Sequence, residues 1–358
     1  MTVAESVLAV MFVGLTAYVL FAGADFGAGV WDLLAGGTRR GMAQRDLIEH
    51  TLAPVWEANH VWLIFVLVVT WTGFPAAFAA IASTLYIPLT LAALGMIARG
   101  AAFAFRKSVD SLSLKRFFGA AFAFSSLVTP FFLGAVVGGI ASGRVPPGIA
   151  QGDVVTSWLN PTSVLGGVLA VLVCAYLAAV LLCADAARDG TAALAGQFRA
   201  RAVGTAVVVG LAALVGVFVL RADAPRLFDG LTHRGLALMI LSALGGLGSI
   251  ALLLRRRYGW ARVAAGAAVA AVLWGWAAGQ YPYLVPPSVT IAEAAASRTT
   301  LVTMLVSLLS GAALLVPALV YLYRLFQREH VSGAGAEHTA SFAARPRAAA
   351  SRPRSSAR

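Results

Sequence analysis

The chain has 358 residues, of which 60% are hydrophobic and only 12% charged, and its mean hydropathy is +0.84. That is more apolar surface than a soluble core could hide, so a water-soluble enzyme or carrier is excluded and an integral membrane protein is expected. The formal charge of +12 would suit a polyanion such as nucleic acid, but its placement along the chain assigns it to membrane topology instead.

A transmembrane helix needs about 20 mostly apolar residues. Stretches of that kind centre near Val13, Leu63, Leu89, Ser125, Leu172, Val209, Leu244, Val272 and Ser310. They are long and rich in Leu and Ala, without the short polar/apolar alternation of barrel strands, so the expected fold is an all-α polytopic membrane protein of nine transmembrane helices. The first helix carries Glu5 where a signal peptide would carry a base, which predicts an uncleaved span. Alternate connections are basic: Arg39, Arg40 and Arg45; Arg106, Lys107, Lys115 and Arg116; Arg188, Arg199 and Arg201; Arg255, Arg256, Arg257 and Arg262; and the arginines from Arg324 onward. The other connections hold only Arg144, Arg221, Arg226, Arg234 and Arg298. The positive-inside rule then gives an N-terminus outside and a C-terminus in the cytoplasm, in the cell (inner) membrane.

"AYVLFAGAD", ending at Asp25, and "AAVLLCAD", ending at Asp185, both close a span with Ala-Asp before an Arg-containing loop. The match is short, and it suggests a four-plus-four helix pseudo-repeat with one extra helix. Cys174 and Cys183 fall on opposite faces of one helix, which predicts core residues, neither a disulfide with each other nor a metal site. Residues 1–330 are expected to form a single transmembrane domain. Residues 331–358, "VSGAGAEHTASFAARPRAAASRPRSSAR", read as a disordered basic cytoplasmic tail near lipid.

An ionisable group at the bilayer centre costs roughly 2.5 to 3.5 kcal/mol on insertion scales, so each needs a partner or a purpose. Asp25, late in the first helix, and Glu57, early in the second, both fall toward the inner face, as does Arg99 near the end of the third. An acid, acid and arginine cluster is therefore expected. Within "PVWEANHVWLIFVLVV" (54–69), Glu57 and His60 share a helix face, Asn59 lies to one side, and Trp56 and Trp62 flank them. The competing account is that the two tryptophans are interface aromatics and Glu57 snorkels to water. Gly23, Gly27 and Gly29 are expected to serve close helix packing. The histidines His50, His60, His233, His330 and His338 form no i, i+4 pair, and no metal or haem site is expected in this chain.

Three stretches carry a resemblance: "ADFGAG" near the end of the first helix, "RDLIEHTLAPVWEANHVWLI", and "FPAAFAAIASTLYIPLTLAALGMIARGAAFAFR". Together with the late "QYPYLVPPSVTIAEAAAS" they resemble subunit II of the cytochrome bd-type quinol oxidases. The resemblance implies a haem-free subunit of a terminal quinol:O₂ oxidoreductase that stabilises a haem-bearing subunit I and helps draw protons from the cytoplasm for O₂ reduction to water. Haems b and d would sit in the partner, quinol would be the substrate of the complex, and a structural quinone, small single-helix accessory subunits and membrane lipid would be further associates; nucleic acid would not. It places the family's proton-pathway acid at Glu57 and its first-helix acid at Asp25, with Arg99, His60, Asn59, Trp56 and Trp62 in support and no catalytic residue in this chain. Three positions depart from the pattern. Glu57-Ala58 stands where relatives more usually have Asp-Gly, His60 stands where an acid is common, and residues 21–24 (Phe-Ala-Gly-Ala) lack a second first-helix acid. A proton-coupled secondary transporter and a membrane scaffold are the alternatives; the transporter would call for helix breaks or charge near mid-membrane in two corresponding spans, which the sequence does not show.

Overall fold

The computed structural model describes the backbone of residues 2–36, 41–52, 56–109, 111–315, 317–318 and 321; among these, the side chains of residues 52, 56–58, 106–108, 112 and 115 are not described. The side chains of Glu57 and Trp56, and the tail from 331 onward, thus lie outside the described residues. In chain order the helices are α1 (Val3–Leu33), α2 (Met42–Leu52), α3 (Trp56–Gly73), α4 (Pro75–Thr84), α5 (Tyr86–Ser108), α6 (Leu112–Ala141), α7 (Pro161–Arg188), α8 (Ala192–Asp223), α9 (Pro225–His233), α10 (Leu236–Leu254), α11 (Tyr258–Gln280), α12 (Ile291–Ala294) and α13 (Arg298–Leu315). Eight of them, α1, α5, α6, α7, α8, α10, α11 and α13, are long and apolar enough to cross a membrane. The pair Asn59–Gly73 and Pro75–Thr84, bent by 118°, brings the number up to nine if it counts as one span.

The expected all-helical architecture is observed, with one small addition in a connection. A small antiparallel hairpin, β1 (Tyr283–Val285) with β2 (Val289–Thr290), stands between α11 and α12. Pro286, Pro287 and Ser288 turn it, and Thr290 with Glu293 forms a capping box that starts α12 at once. A capping box also starts α1, where Thr2 accepts the Glu5 N–H at 3.2 Å and the Glu5 carboxylate accepts the Thr2 N–H at 2.7 Å.

The second feature not expected is a helix break in each half. Phe74 (φ −137°, ψ 58°) precedes Pro75, and Ala224 (φ −137°, ψ 59°) precedes Pro225, with the proline in the first turn of α4 and α9 respectively. Proline disfavours helical backbone in the residue before it, which accounts for both breaks. Each falls where a long apolar helix finishes, toward the side opposite the basic loops: α3 runs 18 residues before Phe74 and α8 runs 32 before Ala224.

Small residues let the spans approach closely. A Cβ on Gly27 of α1 would run into the Cys174 carbonyl of α7, and one on Gly134 of α6 into the Gly166 carbonyl of α7. Cys174 and Cys183 are both buried free thiols. The main apolar cluster packs Trp31 of α1, Leu177 and Leu182 of α7, Phe198 of α8 and Leu253 of α10. At the other end, Arg144 donates to both carboxylate oxygens of Asp223 (3.0 and 2.5 Å), and the Thr162 N–H and hydroxyl donate to the same acid (3.1 and 2.6 Å). That ties the 142–160 connection to the end of α8, and the Asp223 hydrogen bonds hold the Arg144 guanidinium above its usual pKa. The described residues up to Leu301 form one compact unit and those from Val302 on belong to a second; Asp25 and Arg99 lie in the first.

Candidate functional site

Asp25 sits on α1 and Arg99 on α5, each roughly 12 to 14 Å of helix rise inside the end that leads into a basic connection. The two side chains are almost completely buried and form an ion pair, Arg99 Nη2 to Asp25 Oδ1 at 2.6 Å. The same nitrogen donates to the Asp25 carbonyl at 3.1 Å, while Arg99 Nη1 donates to the Ser126 hydroxyl of α6. Ser126 in turn donates to the Phe122 carbonyl one turn earlier, at 2.6 Å. The guanidinium also lies over two rings, 4.3 Å from the Phe122 centroid and 5.0 Å from that of Phe26. Ion pair, hydrogen bonds and ring faces together replace the water an arginine loses in an apolar bundle.

Close packing makes the arrangement specific. A Cβ on Gly29, one turn beyond Asp25, would collide with the Ser126 side chain and come within 3.2 Å of Arg99 Nη1. Gly29 therefore packs helices, as its composition suggests, and also clears the space in which the guanidinium and Ser126 meet. Asp25 Oδ2 is buried and has no hydrogen-bond partner among the described residues. One carboxylate oxygen is committed to Arg99, and the other accepts no hydrogen bond from a described residue.

The remaining residues singled out from sequence fall as follows. Trp62 is half-buried and packs, with Leu63, Met96 and Leu133, against the cluster of Tyr18, Ala22, Phe26 and Cys174. Asn59 is buried with its amide nitrogen unpartnered among the described residues. His60 is half-buried and engaged within the chain. The structure thus joins Asp25 to Arg99; the place of the Glu57 carboxylate lies outside the described residues.

Sequence reading missed Ser126, Phe122 and Phe26. The i, i+4 spacing of Phe122 and Ser126 was available, but serine in an apolar helix ordinarily bonds back to its own carbonyls, and nothing local announces that it also receives an arginine. A second acid was missed as well: Asp32, at the end of α1, accepts from Arg45 Nε of α2 at 3.0 Å, and Arg45 also holds the Gly36 carbonyl at 2.7 Å. Among the described residues no three His, Cys, Asp or Glu side chains gather as a metal site.

Comparison with known proteins agrees with this architecture. Residues 3–326 match the family described as Cytochrome bd terminal oxidase subunit II. Cytochrome bd ubiquinol oxidase subunit 2 of Bacillus subtilis (strain 168) is 33% identical over 170 residues, 47% of this chain and 48% of that protein. Cytochrome bd-I ubiquinol oxidase subunit 2 of Escherichia coli (strain K12) is 26% identical over 156 residues, 42% and 40% of the two chains. These two matches span about half or less of the relatives' length. The Putative cytochrome bd menaquinol oxidase subunit II of B. subtilis is 22% identical over 327 residues, 87% of this chain and 92% of its own. Among solved structures, a chain of the bd oxidase from Geobacillus thermodenitrificans superposes with a TM-score of 0.73 at 29% identity, covering 91% of this chain and 99% of that one. With a family match across nearly all the described helices and a shared fold of that extent, the chain belongs to the cytochrome bd terminal oxidase subunit II family.

Proposed function

We propose that this protein is the haem-free subunit II of a quinol:O₂ oxidoreductase in the cell (inner) membrane, with its N-terminus outside and its C-terminus in the cytoplasm. In this reading it stabilises a haem-bearing subunit I and helps bring protons from the cytoplasm toward the site of O₂ reduction. Haems b and d belong to that partner, and single-helix accessory subunits and lipid complete the assembly. The orientation rests on the basic connections, which gather at one end of the spans.

The observation that carries the proton role is the divided carboxylate of Asp25. O₂ reduction inside a membrane consumes protons, which must pass through polar groups the apolar bundle would otherwise exclude. Arg99 offsets the cost of keeping an acid at this depth by engaging Oδ1. Oδ2 remains for a proton arriving from the inner side. Glu57, one helix on and toward the same face, is the companion acid on the sequence motif, with His60 and Asn59 beside it.

The test is quinol-driven O₂ consumption by the purified complex, normalised to haem. Asp25→Asn keeps the shape and an acceptor for Arg99 but cannot carry a proton away, so turnover should fall at least about tenfold, a barrier change of about 1.4 kcal/mol, while haem content stays normal. Glu57→Gln should behave likewise, and Glu57→Asp should retain much of the rate. Wild-type turnover in the fully assembled Asn variant would remove Asp25 from the path, and loss of haem with activity would make its role structural. The breaks at Phe74 and Ala224 are the one feature a secondary transporter would share. They lie where α3 and α8 finish and gather no charged cluster near mid-membrane among the described residues, so they do not favour that reading; a visible spectrum of the complex separates the oxidase from a transporter or a scaffold.

A further inference from the structure

A groove of about 870 Å³ opens between α1, α7 and α11. Its apolar wall runs from Leu20 of α1 along Gly266 and Ala270 of α11, and its end toward the basic connections carries Arg188, Tyr258 and Arg262. Along α11 the lining extends from Tyr258 to Ala270, about 18 Å of helix rise. That is close to half of a hydrocarbon core of about 30 Å, so the groove has the length of one leaflet and its charged end is where headgroups lie.

The charge balance at that end is uneven. Arg188 and Arg262 share a single acid: Arg188 pairs with Asp185, and Arg262 Nη1 stands 3.7 Å from the same Oδ1. Their side chains stay 66% and 41% exposed while Asp185 is only 14% exposed, so the acid is consumed and both cations still face outward. The exposed turn Arg255–Arg256–Arg257 leads directly into Tyr258 and adds three more cations, while Asp189, next to Arg188, is an exposed acid. A guanidinium pair suits phosphate oxygens, and basic pockets between spans on the cytoplasmic side are the form in which anionic lipid headgroups are held.

The geometry points to a binding site for one anionic phospholipid of the inner leaflet, its phosphate on Arg188 and Arg262 with Tyr258 at the glycerol level and one acyl chain in the groove against Leu20, Gly266 and Ala270. The site is separate from the proton reading above and does not depend on it.

The experiment is native mass spectrometry of the delipidated full complex titrated with dioleoyl phosphatidylglycerol, with dioleoyl phosphatidylcholine and with inorganic phosphate. Phosphatidylglycerol should be retained in preference to phosphatidylcholine, and the double variant Arg188→Gln/Arg262→Gln should weaken it at least about tenfold. Because that variant strips Asp185 of its partners and could disturb folding, Gly266→Leu supplies an independent arm. A Cβ at Gly266 meets only Leu20 Cδ2, at 3.8 Å, so a leucine there has room to enter the groove, and it too should weaken phosphatidylglycerol at least about tenfold. Equal retention of the two lipids, or retention unchanged by Gly266→Leu, would overturn the proposal. Displacement of phosphatidylglycerol by inorganic phosphate alone would show a free-anion site without an acyl chain, and would overturn it too.

Discussion

Arg99 ties α5 to two other helices at once, and most of its value comes from being surrounded. It pairs with Asp25 of α1, donates to Ser126 of α6 and rests on Phe26 and Phe122. Removing one member of a buried pair leaves the other charge uncompensated, at a cost on the order of 3–5 kcal/mol. Arg99→Leu should therefore lower the assembled yield and Tm of the complex far more than the same change at the exposed loop residue Arg256. Arg99→Lys should rescue poorly, since one ammonium cannot reach Asp25 and Ser126 with a planar fork. Equal tolerance of the leucine at 99 and 256 in a thermal-shift assay would make the pair energetically idle. Gly29 belongs to the same design. Gly29→Ala should destabilise the complex by about 1–3 kcal/mol through overpacking against Ser126, and a second change, Ser126→Gly, should recover part of that loss because it vacates the space.

At the scale of elements, the two breaks show how prolines divide the spans in the same way twice. Pro75 sets the bend, but tertiary contacts also hold it: Phe74 is fully buried, and the Ala296 N–H donates to the Gly73 carbonyl at 2.9 Å. Pro75→Ala should thus leave the 118° bend in place, with a modest loss of Tm; a cryo-EM map showing α3 and α4 merged into one straight helix would refute this. The outer connections give the pH prediction. Asp153 accepts the Thr156 N–H and hydroxyl and the Val155 N–H, and Glu293 accepts the Thr290 N–H and hydroxyl. These bonds hold both carboxyls below their ordinary values of 3.8 and 4.5. A depressed folded-state pKa stabilises above the unfolded value and loses that contribution as pH falls through the folded one. The protection factors in segments 153–156 and 290–294, exchange rates divided by the intrinsic rate at each pH, should therefore be constant above about pH 5 and fall as the pH drops below the ordinary values. Asp153→Asn and Glu293→Gln should abolish the acid dependence of their own segments.

For the whole molecule, the proposed function makes this chain one part of an assembly with a haem-bearing subunit. Large apolar side chains such as Ile97, Phe124, Phe218 and Leu244 are more than half exposed on the spans, where lipid or a partner subunit covers them. The chain produced without subunit I should be colourless and poorly stable in detergent, and co-expression with the haem-bearing subunit should raise its recovery. Absorbance at haem wavelengths in stoichiometric amount from the isolated chain would overturn this division.

Sequence by itself determined that the chain is a polytopic helical membrane protein, because composition and the length of apolar runs depend on solvent alone and not on how helices meet. It also placed Asp25 and Arg99 at a common depth, since rise per residue is constant along a helix. The motif around Glu57 and the resemblance it carries were equally local. Tertiary structure alone decided that Arg99 turns to Asp25, that Ser126 and two rings complete its shell, and that Gly29 makes room for them, because those facts depend on which faces of α1, α5 and α6 come together. It also decided the groove beside α11, whose walls come from segments far apart in sequence, and the second break at Ala224, where one proline at the end of a 32-residue helix gave no warning that its geometry would repeat that of Phe74.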